Sequence, residues 1–385
     1  MCSSDLGDRA ALLDRLANPD SVMVTMTVTE KGYCLKGDGS LDFDHPDIAH
    51  DLAEPLTPVS LIGHLVEGLR RRFKAGTAPF TVISCDNLVD NGHKLGRAVA
   101  ALAKRQDAAL AAWIREKVAF PRTMVDSITP ATDDALRARV SAETGLSDNW
   151  PIQRERFTQW VIEDKFCNIR PDFAAIGVTL TTDVSAYDRA KLRLLNGPHS
   201  TLAYLGSLAG YETVAEAMGD ADLAGFVRRL MLDDISPTLS QDAGIDYPAY
   251  IDAILARFAN PGIRHLLSQI AWDGSAKLPF CLFGTIAERL AVGAPVDNLA
   301  LPVAAWMRFV RTKAADGTKL TDPLAESLLT IGRACTDDAH RDVSCFFALE
   351  QVFPATLTGN TAFRAALERA YALLSGGAQA ALRGI

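Results

Sequence analysis

The spacing of hydrophobic positions changes along the chain and divides it into two halves. Short runs rich in β-branched residues at 22–29, 79–84 and 176–184 predict buried strands. Between them, apolar residues recur every three or four positions at 60–74 and 92–118, which predicts helices. This alternation of strand and helix predicts an α/β domain with a largely parallel sheet.

Beyond residue 184 the strand patterns nearly vanish and helical periodicity dominates. Helices are predicted over 187–218, 221–232, 247–258, 263–270, 282–290, 299–310, 324–334 and 361–374. The predicted fold class is therefore α/β followed by all-α, with one domain over residues 1–184 and a helical domain over 185–385.

Composition and charge exclude several classes of protein. Hydrophobic residues make up 48% and charged residues 22% of the 385 positions, which is typical of globular proteins. The net charge of −8 and the lack of a basic patch argue against nucleic acid or anionic membranes as partners. Seven widely spaced cysteines without a CxxC motif favour a reducing compartment. Since no signal-peptide pattern precedes residue 20, we expect a cytoplasmic protein.

The segment from Lys191 to His199 (KLRLLNGPH) carries the candidate chemistry. On an α-helix Asn196 and His199 are neighbours, and Lys191 lies ~140° around the axis from Asn196, so the three spread over one side. A lysine can exchange a proton with an alcohol oxygen, an amide N–H can stabilise an alkoxide, and an imidazole can orient either group. The alternative is an ordinary surface helix that ends or kinks at Pro198.

Ordered motifs along nearly the whole chain resemble the mannitol dehydrogenase family of polyol-specific long-chain dehydrogenases. The most specific is Lys191–Ser200 followed by Leu202-Ala-Tyr-Leu-Gly206. The others are, in family order, Thr27-Val-Thr-Glu30 with Gly32-Tyr33, Ser84-Cys-Asp-Asn87 with Asn91-Gly92, Phe120-Pro121 with Met124-Val-Asp126 and Ile128-Thr-Pro130, Gln159–Asp164, Asn260-Pro261, and Asp273-Gly-Ser-Ala-Lys277. The resemblance implies a Rossmann-type cofactor domain and a helical substrate domain.

The resemblance also implies roles for individual residues. It implies Lys191 as general acid/base, Asn87 and Asn196 as the pair that holds the reacting oxygen, His199 as the residue that orients the substrate, and Asp188 as a proton relay. The implied substrate-binding residues are Asp126, Lys277, Gln269 and Arg264. The implied cofactor-binding residues are Thr29, Glu30 and Asn87.

The implied activity is zinc-independent hydride transfer between a nicotinamide cofactor and a sugar acid or polyol. Loops at 29–34, 45–52 and 269–275 favour conversion of fructuronate to mannonate, and mannitol 2-dehydrogenase or another polyol dehydrogenase is the alternative. A uronate carboxylate needs a cation, for which Lys277, Arg264 and Arg193 are candidates. A Schiff-base enzyme using Lys191 is a further alternative.

We expect NAD or NADP as cofactor, with NAD preferred. We expect no metal, because His45 and His50 have no Cys or Glu at ligand spacing in the sequence. We expect a monomer or weak oligomer. A G-x-G-x-x-G fingerprint after a first strand is absent, and the first 21 residues hold one glycine, Gly7. The expected dinucleotide fold is therefore an incomplete Rossmann-like domain whose first βα units are missing. Cys2–Leu6 looks like a translated sequencing adapter, so we expect an N-terminally truncated chain and keep open an inactive fragment.

Overall fold

The computed structural model describes residues 8–241 and 244–385, except for the side chain of Glu30. Within this description the predicted order of an α/β half followed by an all-helical half is confirmed. The segment Cys2–Leu6 and Gly7 lie outside the described residues.

Contacts divide the chain into two compact units. Unit 1 contains the described residues up to Ser127 together with Thr158–Asp188. Unit 2 contains Ile128–Phe157 and the described residues from Arg189 to Ile385. No pattern in the sequence indicated that Ile128–Phe157 belongs with the helical half, and the division into two domains at residue 184 stays a prediction.

Unit 1 holds two small sheets. In the described part of unit 1 the strands are β1 (Met23–Met26), β2 (Thr81–Ser84), β3 (Thr123–Asp126), β4 (Gln159–Glu163) and β5 (Thr179–Thr181). β1 and β2 pair in parallel, with Met26 beside Ser84. β4 pairs antiparallel with β3 and parallel with β5. The prediction of parallel strands therefore holds for two pairings, whereas β3–β4 is antiparallel and β4 had no strand prediction.

The helices of unit 1 have clear start and stop signals. They are α1 (Arg9–Ala17), α2 (Pro46–Ala53), α3 (Leu61–Ala75), α4 (Asn91–Gln106) and α5 (Ala108–Lys117), with 3₁₀ turns at Glu30–Tyr33 and Ala174–Ile176. The Ser60 hydroxyl accepts the N–H of Gly63 at 2.9 Å and caps α3, which ends where Gly76 adopts a φ of 67°. The apolar faces of α3 and α4 bury Leu69 and Val99 in one core with Val82 of β2.

Unit 2 is a helical assembly around one apolar core. Helix α7 (Val184–Ala190) carries the chain into it from unit 1. Its helices are α6 (Asp134–Thr144), α8 (Gly197–Leu208), α9 (Val214–Met218), α10 (Ala221–Arg229), α11 (Tyr247–Phe258), α12 (Leu267–Ile270), α13 (Gly274–Leu278), α14 (Gly284–Ala291), α15 (Asp297–Asp316), α16 (Ala325–Ala334), α17 (Ala339–Phe347), α18 (Ala355–Thr358), α19 (Thr361–Leu373) and α20 (Ala378–Gly384).

Irregular turns and a central aromatic residue complete unit 2. π-helical turns occur at Lys191–Asn196, Leu230–Ile235 and Pro279–Phe283, and 3₁₀ turns at Ser236–Thr238 and Leu374–Gly376. Trp306 on α15 is 1% exposed, and its ring lies 5.6 Å from that of Phe346.

None of the helices in the described ranges is both long and apolar enough to cross a bilayer.

Candidate active site

One continuous helix carries three of the predicted catalytic residues. α7 runs directly into the π-helical turn Lys191–Asn196, which runs into α8. In a π-helical turn each N–H reaches the carbonyl five residues earlier, so the predicted α-helical angle between Lys191 and Asn196 is wrong. This wider turn ends two residues before Pro198, where the sequence predicted a kink or a helix end. Because proline lacks an N–H and crowds the carbonyl four residues back, a wider turn at that point relieves the helix.

Arg193 anchors the π-helical turn. It is 7% exposed, and its guanidinium donates to both carboxylate oxygens of Glu288 at 2.7 and 2.8 Å and to the Thr238 hydroxyl at 2.7 Å. Such a two-pronged pair fixes geometry as well as charge. Because Glu288 occupies both arms of this guanidinium, we leave Arg193 out of the proposed binding residues, and its expected contact with a substrate carboxylate stays untested.

His199 is the most buried of the predicted site residues on this helix. It is 9% exposed, and its ring stacks on Phe258 with centroids 4.5 Å apart. Its Nε2 is buried and has no hydrogen-bond partner among the described residues. Burial, with the nearby charges of His265, Arg257 and Lys277, holds the pKa of His199 well below its usual value, so the ring is neutral. A buried polar atom without a partner is a place where a ligand gains a hydrogen bond.

Lys277 lies in the same environment as His199. It belongs to α13, which starts after Asp273. Asp273 has a φ of 56°, and non-glycine residues with such a backbone conformation cluster at functional sites. The Lys277 ammonium donates to the carbonyl of Ile270 at 3.2 Å. Burial lowers the pKa of Lys277, and the charge of Asp273 opposes that shift.

The other two predicted substrate residues of unit 2 differ in position. Gln269 is half-buried on α12, the short helix that ends at Ile270. The Arg264 side chain is 63% exposed and pairs with Glu212 at 2.5 Å. The structure therefore does not bring Arg264 into the group around His199, and we leave it out of the proposed binding residues.

A buried ion pair next to His199 had no sequence signal. Arg257, which precedes Phe258 on α11, donates to Glu155 at 2.8 and 3.0 Å, and its guanidinium lies 4.1 Å from the ring centroid of Phe157. Glu155 also accepts the backbone N–H of Ile128 at 2.6 Å. These bonds tie the segment Ile128–Phe157 to α11 and so hold the ring on which His199 stacks.

In unit 1, Asp86 organises the ends of β1 and β2. Its carboxylate accepts the N–H groups of Val28 and Thr29 at 2.8 and 2.9 Å and the Tyr33 hydroxyl at 2.6 Å. Burial and this carboxylate raise the pKa of Tyr33. Asn87 follows directly and is exposed. The loops after the carboxyl ends of parallel strands, where α/β proteins bind ligands, therefore contain Thr29 and Asn87.

Two backbone features mark the same strand ends. Thr29 and Asp90 have φ values of 63° and 59°, a left-handed conformation that non-glycine residues seldom adopt away from functional sites.

The remaining predicted site residues lie at element ends or just before the π-helical turn. Asp126 ends β3 and is 3% exposed. Asp188 lies one turn before Lys191 on α7, and the side chain of Glu30 lies outside the described part of the chain. The roles of all these residues stay predictions.

The described residues include one trio of potential metal ligands that the sequence spacing did not reveal. Atoms of Cys34, His45 and Asp47 lie within 4.8 Å of one another. However, Nδ1 of His45 already accepts the backbone N–H of Asp47 at 3.3 Å. Burial and neighbouring carboxylates also raise the pKa of the Cys34 thiol, which disfavours the thiolate that a metal requires.

Comparisons with known proteins, by family and by individual relative, agree on one family. Residues 3–175 match the mannitol dehydrogenase Rossmann domain, and residues 183–375 match the mannitol dehydrogenase C-terminal domain. D-mannonate oxidoreductase of Escherichia coli (strain K12) is 42% identical over 363 residues, which are 94% of this chain and 74% of that protein. The uncharacterized oxidoreductase YeiQ of the same organism is 41% identical over 96% of this chain and 76% of its own length.

A solved structure extends the comparison to three dimensions. Mannitol 2-dehydrogenase of Pseudomonas fluorescens, in a ternary complex with NAD and D-mannitol, matches with a TM-score of 0.80 at 38% identity. The match covers 98% of this chain and 77% of that one. The predicted enzyme class, a dehydrogenase that acts on CH–OH groups, is thereby confirmed. Both halves match successive domains of a single family, and the chain belongs to the mannitol dehydrogenase family.

Proposed function

We propose that this protein interconverts a ketose or keto-uronate and the corresponding alcohol, with a nicotinamide cofactor and without a metal. The observation that carries the proposal is the placement of Lys191, Asn196 and the buried His199 on one continuous helix, with Nε2 of His199 unpartnered among the described residues. Fructuronate and mannonate are the proposed pair, which the likeness to D-mannonate oxidoreductase supports. Mannitol and fructose are the second candidate, which the likeness to mannitol 2-dehydrogenase supports.

Lys191 is the proposed general acid/base. Oxidation of an alcohol removes a hydride from carbon and a proton from oxygen, and Lys191 takes that proton or returns it in the reverse direction. Asn196, at the other end of the π-helical turn, donates an amide N–H to the developing alkoxide. The family resemblance assigns the same role to Asn87. Asp188, one turn before Lys191, passes the proton on to solvent.

The remaining residues of the proposal bind the substrate. The neutral ring of His199 offers Nε2 to a substrate hydroxyl, and Asp126, Gln269 and Lys277 bind other hydroxyls. A uronate carboxylate needs a cation. Since Arg193 and Arg264 are paired with Glu288 and Glu212, Lys277 is the residue that we propose for this task.

Thr29, Glu30 and Asn87 are the proposed cofactor-binding residues. When bound, the nicotinamide group accepts or supplies the hydride. The left-handed backbone of Thr29 and the exposed Asn87, after the carboxyl ends of two parallel strands, fit such a ligand. We propose NAD, since the Pseudomonas fluorescens relative was solved with it. A cytoplasmic location and a monomeric or weakly oligomeric state stay predictions.

The proposed role of Lys191 is tested by Lys191→Met, with the exposed Lys319→Met as matched control. Fructuronate, fructose, mannonate and mannitol are assayed with both nicotinamide cofactors. We expect turnover to fall by roughly 10²–10⁴-fold for Lys191→Met and to be unchanged for Lys319→Met. Both variants should melt like the unchanged protein.

Three outcomes contradict the proposal. A near-normal rate of Lys191→Met removes Lys191 from the chemistry. Trapping of a ketose on Lys191 by borohydride favours a Schiff-base enzyme. If a titration monitored by NADH fluorescence shows no saturable binding of NADH, the inactive fragment is favoured.

A further inference from the structure

A second imidazole beside His199 has no role in the proposed mechanism. The ring of His265 meets that of His199 edge-on, with centroids 4.9 Å apart and an angle of 84° between the planes. Nδ1 of His265 is buried and, like Nε2 of His199, has no hydrogen-bond partner in the described part of the chain. Buried side-chain nitrogens are nearly always hydrogen-bonded, so two unpartnered ones on adjacent rings need an explanation.

The protein itself holds His265 in this position. Its backbone N–H donates to Ile263 at 2.9 Å, and its carbonyl accepts the N–H of Val214 at 3.0 Å. The next residue, Leu266, forms an isolated antiparallel bridge with Thr213. The backbone of His265 is therefore held by hydrogen bonds on both sides, with its ring against that of His199.

The charge state of the two rings limits what they bind. Burial and the nearby charge of Lys277 lower the pKa of His265, as they do that of His199. Each neutral imidazole offers one donor and one acceptor. A hydroxyl can be both donor and acceptor and fits either ring nitrogen in either tautomer, whereas a carboxylate only accepts and prefers a cation.

We propose that His265 contacts the substrate, with its Nδ1 pairing one hydroxyl of a polyhydroxylated chain while Nε2 of His199 pairs another. This inference rests on the proposed function and deepens it. It narrows the substrate class to compounds with at least two free hydroxyls beside the reacting group, and leaves any carboxylate to Lys277.

Kinetics of His265→Leu and His265→Asn test the contact. Loss of one hydrogen bond to a neutral group predicts a KM for the sugar substrate raised about 3- to 10-fold in the Leu variant, with kcat within about twofold. Asparagine places a polar atom near the position of Nδ1, so His265→Asn should recover most of the affinity. The control is His340→Leu, since the His340 side chain is 76% exposed.

Stability separates a binding role from a structural one. Leucine removes an unpartnered polar atom, so His265→Leu should melt at the same temperature as the unchanged protein or higher, while KM rises. An unchanged KM in an active, folded His265→Leu variant overturns the inference but leaves the proposed function intact. Absence of turnover in the unchanged protein on every substrate contradicts the proposed function instead.

A direct binding measurement needs neither turnover nor a variant. With ¹⁵N-labelled histidine, addition of mannitol should shift the ring nitrogens of both His265 and His199 and leave those of His340 unchanged. A shift confined to His199 overturns the inference, even if His265→Leu fails to fold.

Discussion

The ion pair between Glu155 and Arg257 should stabilise unit 2 more than any exposed pair of similar geometry. The side chains of Glu155 and Arg257 are 4% and 7% exposed, and they meet at 2.8 Å. Replacing Glu155 with glutamine keeps the shape of the side chain and an acceptor for the Ile128 N–H. It removes the negative charge that Glu155 presents to the buried guanidinium of Arg257.

The expected loss follows from burial. Removing one partner of a buried ion pair costs roughly 3–5 kcal/mol, because the other charge stays out of water. The matched control is Glu212→Gln, which breaks the Arg264–Glu212 pair at 2.5 Å, whose side chains are 63% and 62% exposed. Exposed pairs contribute about 0–1 kcal/mol, so the control should lose at most that amount. A loss of ~4 kcal/mol is a large part of the ~5–15 kcal/mol that stabilises a typical domain.

Urea unfolding followed by tryptophan fluorescence measures both variants, with Trp306 as a buried reporter of unit 2. Hydrogen exchange of peptides from 128–157 should be faster in Glu155→Gln, since Glu155 ties that segment to Arg257. The double variant Glu155→Met/Arg257→Met should regain much of the loss, because it removes both charges of the pair. A Glu155→Gln variant that loses no more than Glu212→Gln refutes the reasoning.

Three further outcomes are expected. Because burial raises the pKa of the Cys281 thiol to about 12, a thiol reagent at pH 8 should label Cys281 only after unfolding. Stability should fall above pH 9.0, because the thiol ionises there in the unfolded chain but not in the folded protein. His199 stays neutral in the folded protein, so it should lower calorimetric stability below pH 6.5 by up to about 1.4 kcal/mol per pH unit. His199→Phe should remove that share of the slope and leave the share of His265, whose pKa is also lowered. Gly92→Ala should lower the melting temperature, since a Cβ there meets the backbone of Pro121, whereas Gly37→Ala, with nothing within 4 Å, should not.

Local patterns predicted the elements whose signals are themselves local. The helix predicted over 247–258 is α11, and the one predicted over 60–74 differs from α3 by one residue at each end. Apolar spacing and capping residues such as Ser60 and Gly76 are contained in the sequence around each helix. The grouping of Lys191, Asn196 and His199 on a single helix was predictable for the same reason.

Features that depend on distant residues were not predictable. β4 has partners on both sides, at Thr123–Asp126 and Thr179–Thr181, and its own five residues show no clear alternation. Glu155 meets Arg257 across 102 positions of sequence, so nothing near Glu155 indicates its burial. The π-helical turn at Lys191–Asn196 shifts the side chains relative to an α-helix, and an α-helical projection therefore misplaces Lys191.

In the proposed function Lys277 is the cation for a substrate carboxylate, and the pairing of the buried arginines supports that choice. Arg257 and Arg193 are buried, and each faces a carboxylate, on Glu155 and Glu288 respectively. Lys277 instead donates to the carbonyl of Ile270, a neutral group that cancels no charge. Burial, with the charge of Lys277, keeps the rings of His199 and His265 neutral and suited to hydroxyls. On this proposal, the carboxylate of a keto-uronate binds Lys277, a contact that a simple ketose does not make.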